Sequence, residues 1–141
     1  MRKQALDIVE SLTGSPEGIA SLRKGGQALL TELFKCAAEV SLSRPALTVL
    51  VNASQDPFIS RDLLQMGAIN RAMDYMRDNI TVHHDMLLML LSNVTSTEEG
   101  AKKMLQVGVY THHVVYTTHH VSTPAVMCLH HQHRTPAAPC R

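Results

Sequence analysis

The sequence predicts an all-α protein whose helices stack in successive layers, and three observations carry that expectation. Residue types recur at a constant offset of 41 positions, apolar residues fall at helical spacing inside each copy, and a helix-start signal stands at the same place in every copy. The offset aligns Val9 with Leu50 and Leu91, Leu12 with Ala53 and Val94, and Thr13 with Ser54 and Thr95. It also aligns Leu22 with Leu63 and Met104, and Gly26 with Gly67 and Gly108. A unit this short has too little apolar surface to fold alone, so it must bury its faces against neighbouring copies.

In each copy the first segment, Gln4 to Leu12, Pro45 to Ala53 and Asp85 to Val94, carries Leu, Val, Ala or Met on nearly every side. Such a helix suits a place between neighbours, and the unbroken run Met86 to Leu91 is the extreme case. Next come Ser15-Pro16-Glu17, Asp56-Pro57 and Thr97-Glu98-Glu99. Each supplies a side-chain oxygen for orphan amides, followed by proline at the first helical position or by carboxylates at the positive end of the helix dipole. The shorter helix that follows is expected to end at Gly25-Gly26, at Gly67 and at Gly108, because glycine permits the left-handed turn that closes a helix. A third amphipathic stretch, Leu29 to Ala38 and again Ile69 to Arg77, leads into the next copy; Leu30, Leu33, Phe34 and Ala37 share one face of it.

Three helices in 41 residues fit the armadillo class, with two-helix HEAT repeats as the nearest rival. The expected architecture is an armadillo-type helical solenoid of about two and a half repeats, right-handed and with a concave face. Stacked repeats need polar caps and about three units for stability. A chain that opens inside a repeat is therefore expected to be a piece of a longer solenoid, truncated at both ends.

The composition changes at Gly108. All 12 acidic residues lie within the first 99 positions, and the last 33 positions carry Arg134 and Arg141 as their only Lys or Arg. Seven of the nine histidines fall there too, with Pro124, Pro136, Pro139 and many Thr. Two parts are expected: a repeat domain over residues 1–108 and a His/Thr/Pro-rich low-complexity tail over 109–141. A tail of that composition has too little apolar surface to offset its ordering entropy, so disorder is its expected state.

Charge and composition also narrow the function. A net charge of +1 gives no field to hold a nucleic-acid backbone or an anionic membrane, and the absence of Trp removes the best base-stacking platform. No apolar run reaches the length of a membrane-spanning helix. Met1-Arg2-Lys3 leads directly into a polar stretch, unlike a secretory signal, and the three scattered cysteines, Cys36, Cys128 and Cys140, suit a reducing compartment. A cytoplasmic protein is expected, with no nucleic-acid, membrane or small-molecule partner.

The stretches ALDIVESLTGSPEGIASL, ALTVLVNASQDPFISRDLLQMG and LLMLLSNVTSTEEGAKKMLQVG resemble the amino-terminal repeats of the brain-protein-16-like family, also called the Hgh family. The resemblance covers roughly residues 4 to 108, and its most specific part is Leu50-Val51-Asn52-x-Ser54-Gln55-Asp56 with the downstream Gly67-Ala68 and Gly108-Val109. It implies a cytosolic armadillo-like adaptor that assists the folding of translation elongation factor 2 by bringing the nascent factor to the cytosolic chaperonin and prefoldin. Everything beyond Gly108 departs from the family's pattern.

Asn52 and Asn93 occupy the same place in successive copies, with Ser11 in the first, and these three are the candidate partner-binding residues. An amide on the inner helix of a stack offers a donor and an acceptor to an extended backbone. The structural alternative is that each amide bonds a neighbouring loop or helix end. Importin-type armadillo proteins pair such asparagines with tryptophans, which this chain lacks, so a nuclear-localisation-signal groove is not expected. Asn52-Ala53-Ser54, Asn79-Ile80-Thr81 and Asn93-Val94-Thr95 match the glycosylation sequon and, without a secretory route, should stay unmodified. Met66, Met73, Met76, Met86 and Met89 fit either an adaptable surface or irregular core filling.

The sequence has no Gly-x-Ser-x-Gly elbow, phosphate-cradling glycine loop, His-Glu-x-x-His helix or Cys-x-x-Cys pair. His83-His84-Asp85 is the one compact acid/base group of the repeats, and helix capping accounts for Asp85. The expectation is a protein that is not an enzyme and needs no cofactor. Two readings of the tail compete. His130, His131, His133 and Cys128, with Cys140, would capture a borderline metal such as zinc or copper, making a metal-binding protein. Alternatively, the tail is the translation of a retained intron or a shifted frame. A further alternative is an armadillo scaffold with an unrelated partner.

Overall fold

The computed structural model describes residues 2–108. Readings that fall on 109–141, including the disordered tail and a metal site at Cys128, His130, His131, His133 and Cys140, lie outside the described residues. The described chain is all-helical: α1 (Arg2–Leu12), α2 (Pro16–Ala37), α3 (Ser43–Ala53), α4 (Pro57–Gln65), α5 (Ala68–Arg77), α6 (His84–Thr95) and α7 over 98–108. No strand occurs among these residues.

The start signals act as chemistry requires. Ser15 Oγ accepts from Gly18 N–H, Asp56 Oδ1 accepts from Phe58 and Ile59 N–H, and Thr97 Oγ1 accepts from Gly100 N–H. Pro16 and Pro57 occupy the first helical position, where a missing N–H costs nothing. Gly26 and Gly67, one repeat apart, both take positive φ, at 57° and 75°. At Gly26 the chain kinks and continues, so α2 is two helices joined at one non-helical residue. At Gly67 the same register ends α4 and starts α5. α5 closes on Asn79, at φ 50°, with the Ile80 amide donating back to the Tyr75 carbonyl, a left-handed cap built on asparagine in place of glycine.

Helices one repeat apart lie against each other: α1 packs on α3, α3 on α6, and α2 on both α3 and α4. α3 is the most enclosed helix, with Ser43, Ala46, Leu47, Val49, Leu50, Val51 and Ala53 buried. Phe34, Leu47, Leu50, Ile59, Leu63, Leu87 and Leu90 form the deepest part of the core. Phe34 and Tyr75, which the 41-residue offset aligns, meet edge to face at 6.4 Å, and Tyr75 OH donates to the Phe34 carbonyl oxygen at 2.8 Å. Burial, larger than the opposing charge of Arg71, raises the Tyr75 hydroxyl above its ordinary pKa.

The expectation of helices enclosed on every side holds for α3 and not for its two counterparts. α1 buries Leu6 and leaves Ile8 and Leu12 exposed; α6 buries Leu87, Leu90, Leu91 and Val94 but exposes Leu88 and Met89. The reason is position: α3 has a counterpart on each side, whereas α1 and α6 each have α3 on one side.

Candidate functional site

Asn52 sits in the last turn of α3 and Asn93 in the last turn of α6. Asn52 Nδ2 donates to Thr13 Oγ1 at 3.0 Å, and Asn93 Nδ2 donates to Ser54 Oγ at 2.8 Å and to the Val51 carbonyl at 3.2 Å. The receiving hydroxyls are themselves tied down: Thr13 donates to the Glu10 carbonyl at 2.6 Å and Ser54 to the Val51 carbonyl at 2.7 Å. Both amides thus reach back to a hydroxyl at the end of the preceding counterpart helix, 39 positions earlier in each case. Thr13 and Ser54 are buried and the asparagines half-buried, so these bonds are partly shielded from water. Ser11, the first residue of the series, donates to the Asp7 carbonyl of its own helix at 2.9 Å.

The three sequence-assigned residues therefore occupy one register on three packed helices, with different duties. The Asn52 and Asn93 amide donors hold one helix to the next, and neither Oδ1 accepts a hydrogen bond from the described residues. Those carbonyl oxygens remain as acceptors, and the exposed Ser11 hydroxyl, whose proton goes to Asp7, adds a further acceptor.

Beside Asn52 an open groove runs between the α1–α2 and α3–α4 turns, lined by Thr13, Ser15, Ile19, Arg23, Gln55 and Asp56 among others. Arg23 pairs with Asp56 and lies 4.4 Å above the Phe58 ring. Burial by itself would raise the Asp56 carboxyl; the Ile59 amide, the Arg23 guanidinium and the Phe58 amide together outweigh it and lower its pKa below the ordinary 3.8. The groove thus presents a fixed ion pair with an apolar flank at Ile19.

Sequence reasoning placed Asp56 as a cap and did not anticipate its pairing with Arg23, because that contact joins residues 33 positions apart and nothing periodic announces it. It also did not connect the asparagines with Thr13 and Ser54. Part of the signal was present: Asn52-Ala53-Ser54 places a hydroxyl two positions after Asn52, where Asn93 of the next repeat arrives. The third sequon is likewise structural, with Asn79 capping α5 and Thr81 Oγ1 at 2.6 Å from Ser43 Oγ.

Met66, Met73, Met76 and Met86 pack against the core, while Met89 is exposed one turn before Asn93. His83 and His84 are half-buried and Asp85 is exposed, and no hydrogen bond or ion pair joins the three. No group of three or more His, Cys, Asp or Glu able to hold a metal occurs among the described residues. No described helix is long and apolar enough to cross a membrane.

A 65-residue stretch of the chain is 37% identical to Protein HGH1 homolog from Dictyostelium discoideum. The chain is HGH1-like over part of its length. That match takes in 46% of this chain and 18% of the relative, so the chain spans less than a fifth of the HGH1 homolog it resembles. No protein-family model matches the chain, and no solved structure matches it.

Proposed function

We propose that this chain is an armadillo-type, protein-binding adaptor with an HGH1-like role, acting in the cytoplasm through contacts alone and without chemistry of its own. The observation that carries the reading is the repeated asparagine-to-hydroxyl bond. It holds α1, α3 and α6 in one register and leaves the Asn52 and Asn93 amide oxygens as acceptors, that of Asn52 beside an open groove. Such acceptors suit an extended, incompletely folded segment, whose backbone N–H groups seek partners. The Hgh resemblance supplies the identity of the client: nascent elongation factor 2, passed to the cytosolic chaperonin with prefoldin as partner. The partial match to an HGH1 homolog supports the coarser, HGH1-like role.

Affinity capture from cytosol, with a full-length HGH1 homolog as the control, tests it. Recovery of elongation factor 2 and chaperonin subunits by this chain is the expected result, and Met89→Glu, which places a charge beside Asn93 on the exposed face, should reduce it severalfold. Recovery by the homolog alone would show that this chain does not bind the client. Recovery of a different protein, reduced by the same substitution, would make it a scaffold for an unrelated partner.

A further inference from the structure

The 41-residue register states what should cover each helix, because α3 shows the enclosed version of every position. Leu47 and Val51 of α3 are buried, and α3 packs on α6. Their counterparts on α6 are Leu88 and Ser92, both exposed, Leu88 at 57%. In the next layer, Leu64 is buried in α4 where Lys103 of α7 reaches its carbonyl oxygen, and its counterpart Leu105 is 71% exposed. At the other end, Ala46, Val49 and Ala53 of α3 are fully buried. Their counterparts on α1 are Ala5, Ile8 and Leu12, all exposed, Ile8 at 63% and Leu12 at 50%. Among the described residues, each end of the helical row therefore exposes the face that a further counterpart helix would bury.

The two uncovered faces are the two halves of one internal interface. α3 docks on α1, and α6 docks on α3; the α1 of another molecule, placed on α6, repeats the same step. We propose that this chain associates head to tail, with the Ala5–Ile8–Leu12 face of one copy seated on the Leu88–Ser92 face of the next. Two polar features agree with that placement. Lys3, Arg44 and Asp85 share one register, so the incoming Lys3 follows an acidic Asp85 instead of a second cation. Thr95 is the third hydroxyl of the series begun by Thr13 and Ser54, and it donates to the Leu91 carbonyl while accepting nothing from the described residues. The incoming residue at the asparagine register is Ser11, whose hydroxyl donates to the Asp7 carbonyl and lacks the reach of the Asn52 and Asn93 amides, which leaves Thr95 Oγ1 open as an acceptor. The contact uses different surfaces on its two sides, so it propagates instead of closing as a symmetric dimer.

Sedimentation of the full chain between about 1 and 100 μM tests this, since association by mass action shifts with concentration. The expected result is an average mass that rises above the 15.5 kDa monomer and passes the dimer. Ile8→Glu and Leu88→Lys each remove one of the two faces at an exposed position, so each alone should stay monomeric with helix content unchanged by circular dichroism. Mixing the two variants should give a 1:1 dimer that grows no further, because one intact face of each kind remains. Ser11→Asn, which restores the amide at the register facing Thr95, should lower the concentration needed for association severalfold. A wild-type chain that stays monomeric overturns the proposal. So does association that survives either single substitution, or a mixture of the helical variants that stays monomeric.

Discussion

An asparagine that reaches back to a hydroxyl two positions beyond its own counterpart is a joint that reads in both directions, and it shows how a motif can be seen without its contact being read. Asn52-Ala53-Ser54 was legible as a sequon, yet its residues are spoken for by helix packing: Asn52 bonds Thr13, and Ser54 receives Asn93. Asp56 joins local and distant duties in the same way, capping α4 while pairing with Arg23. Its carboxyl is held below the ordinary value of 3.8, so its contribution to stability is complete above that value and is lost as pH falls through the lower folded value. Asp56→Asn keeps a cap oxygen without the charge. At pH 7 the wild type should be about 1 kcal/mol more stable in urea unfolding, and the gap should close below pH 3.8. Gly18 is bound by contact: a Cβ built there runs into the Leu12 carbonyl oxygen, and Gly100, two repeats later, meets the Val94 carbonyl oxygen in the same way. Gly18→Ala should therefore cost about 1–3 kcal/mol, read as a lowered melting temperature, because backbone must shift to admit the methyl group.

The helices themselves were the most legible level. Gln4 to Leu12, Pro45 to Ala53 and Asp85 to Val94 were expected, and α1, α3 and α6 extend those spans by one or two residues. The caps Ser15, Asp56 and Thr97 and the breaks at Gly26 and Gly67 fall where local chemistry put them, since a cap or a positive φ is decided by a few adjacent atoms. What local chemistry did not decide was the consequence of each glycine. Gly67 has φ 75° and ψ 36°, an ordinary left-handed helical conformation, whereas Gly26 has φ 57° and ψ −159°, a region open to glycine and hardly to any other residue. Substitution by Ala should cost about 1 kcal/mol at Gly67 and about 2–3 kcal/mol at Gly26. Denaturant titration of the two variants checks the order; equal costs would mean that the kink in α2 relaxes.

For the molecule as a whole, protection against unfolding should follow enclosure. α3 has buried residues along its whole length and counterparts on both sides, whereas α1 buries Leu6 alone. Amide hydrogen exchange is expected to be slowest in α3 and in the Leu87–Leu91 part of α6, and at least about tenfold faster in α1 and α7, where local opening exposes little apolar surface. Sequence patterning could not show this gradient, because Leu12 and Ala53, or Leu88 and Leu47, look alike in a periodic alignment. Only the number of neighbours separates them. The groove at Asn52 was invisible for a similar reason: Arg23 and Asp56 come from different repeats, and periodicity describes what repeats, not what two layers make between them.

The central claim is that equivalent residues of successive layers are joined by the same bond, and a pair of double-mutant cycles in urea tests it most directly. Asn52→Ala with Thr13→Ala, and Asn93→Ala with Ser54→Ala, should each show a coupling of about 1 kcal/mol, of the same sign and similar size. A coupling near zero in either cycle would contradict the account.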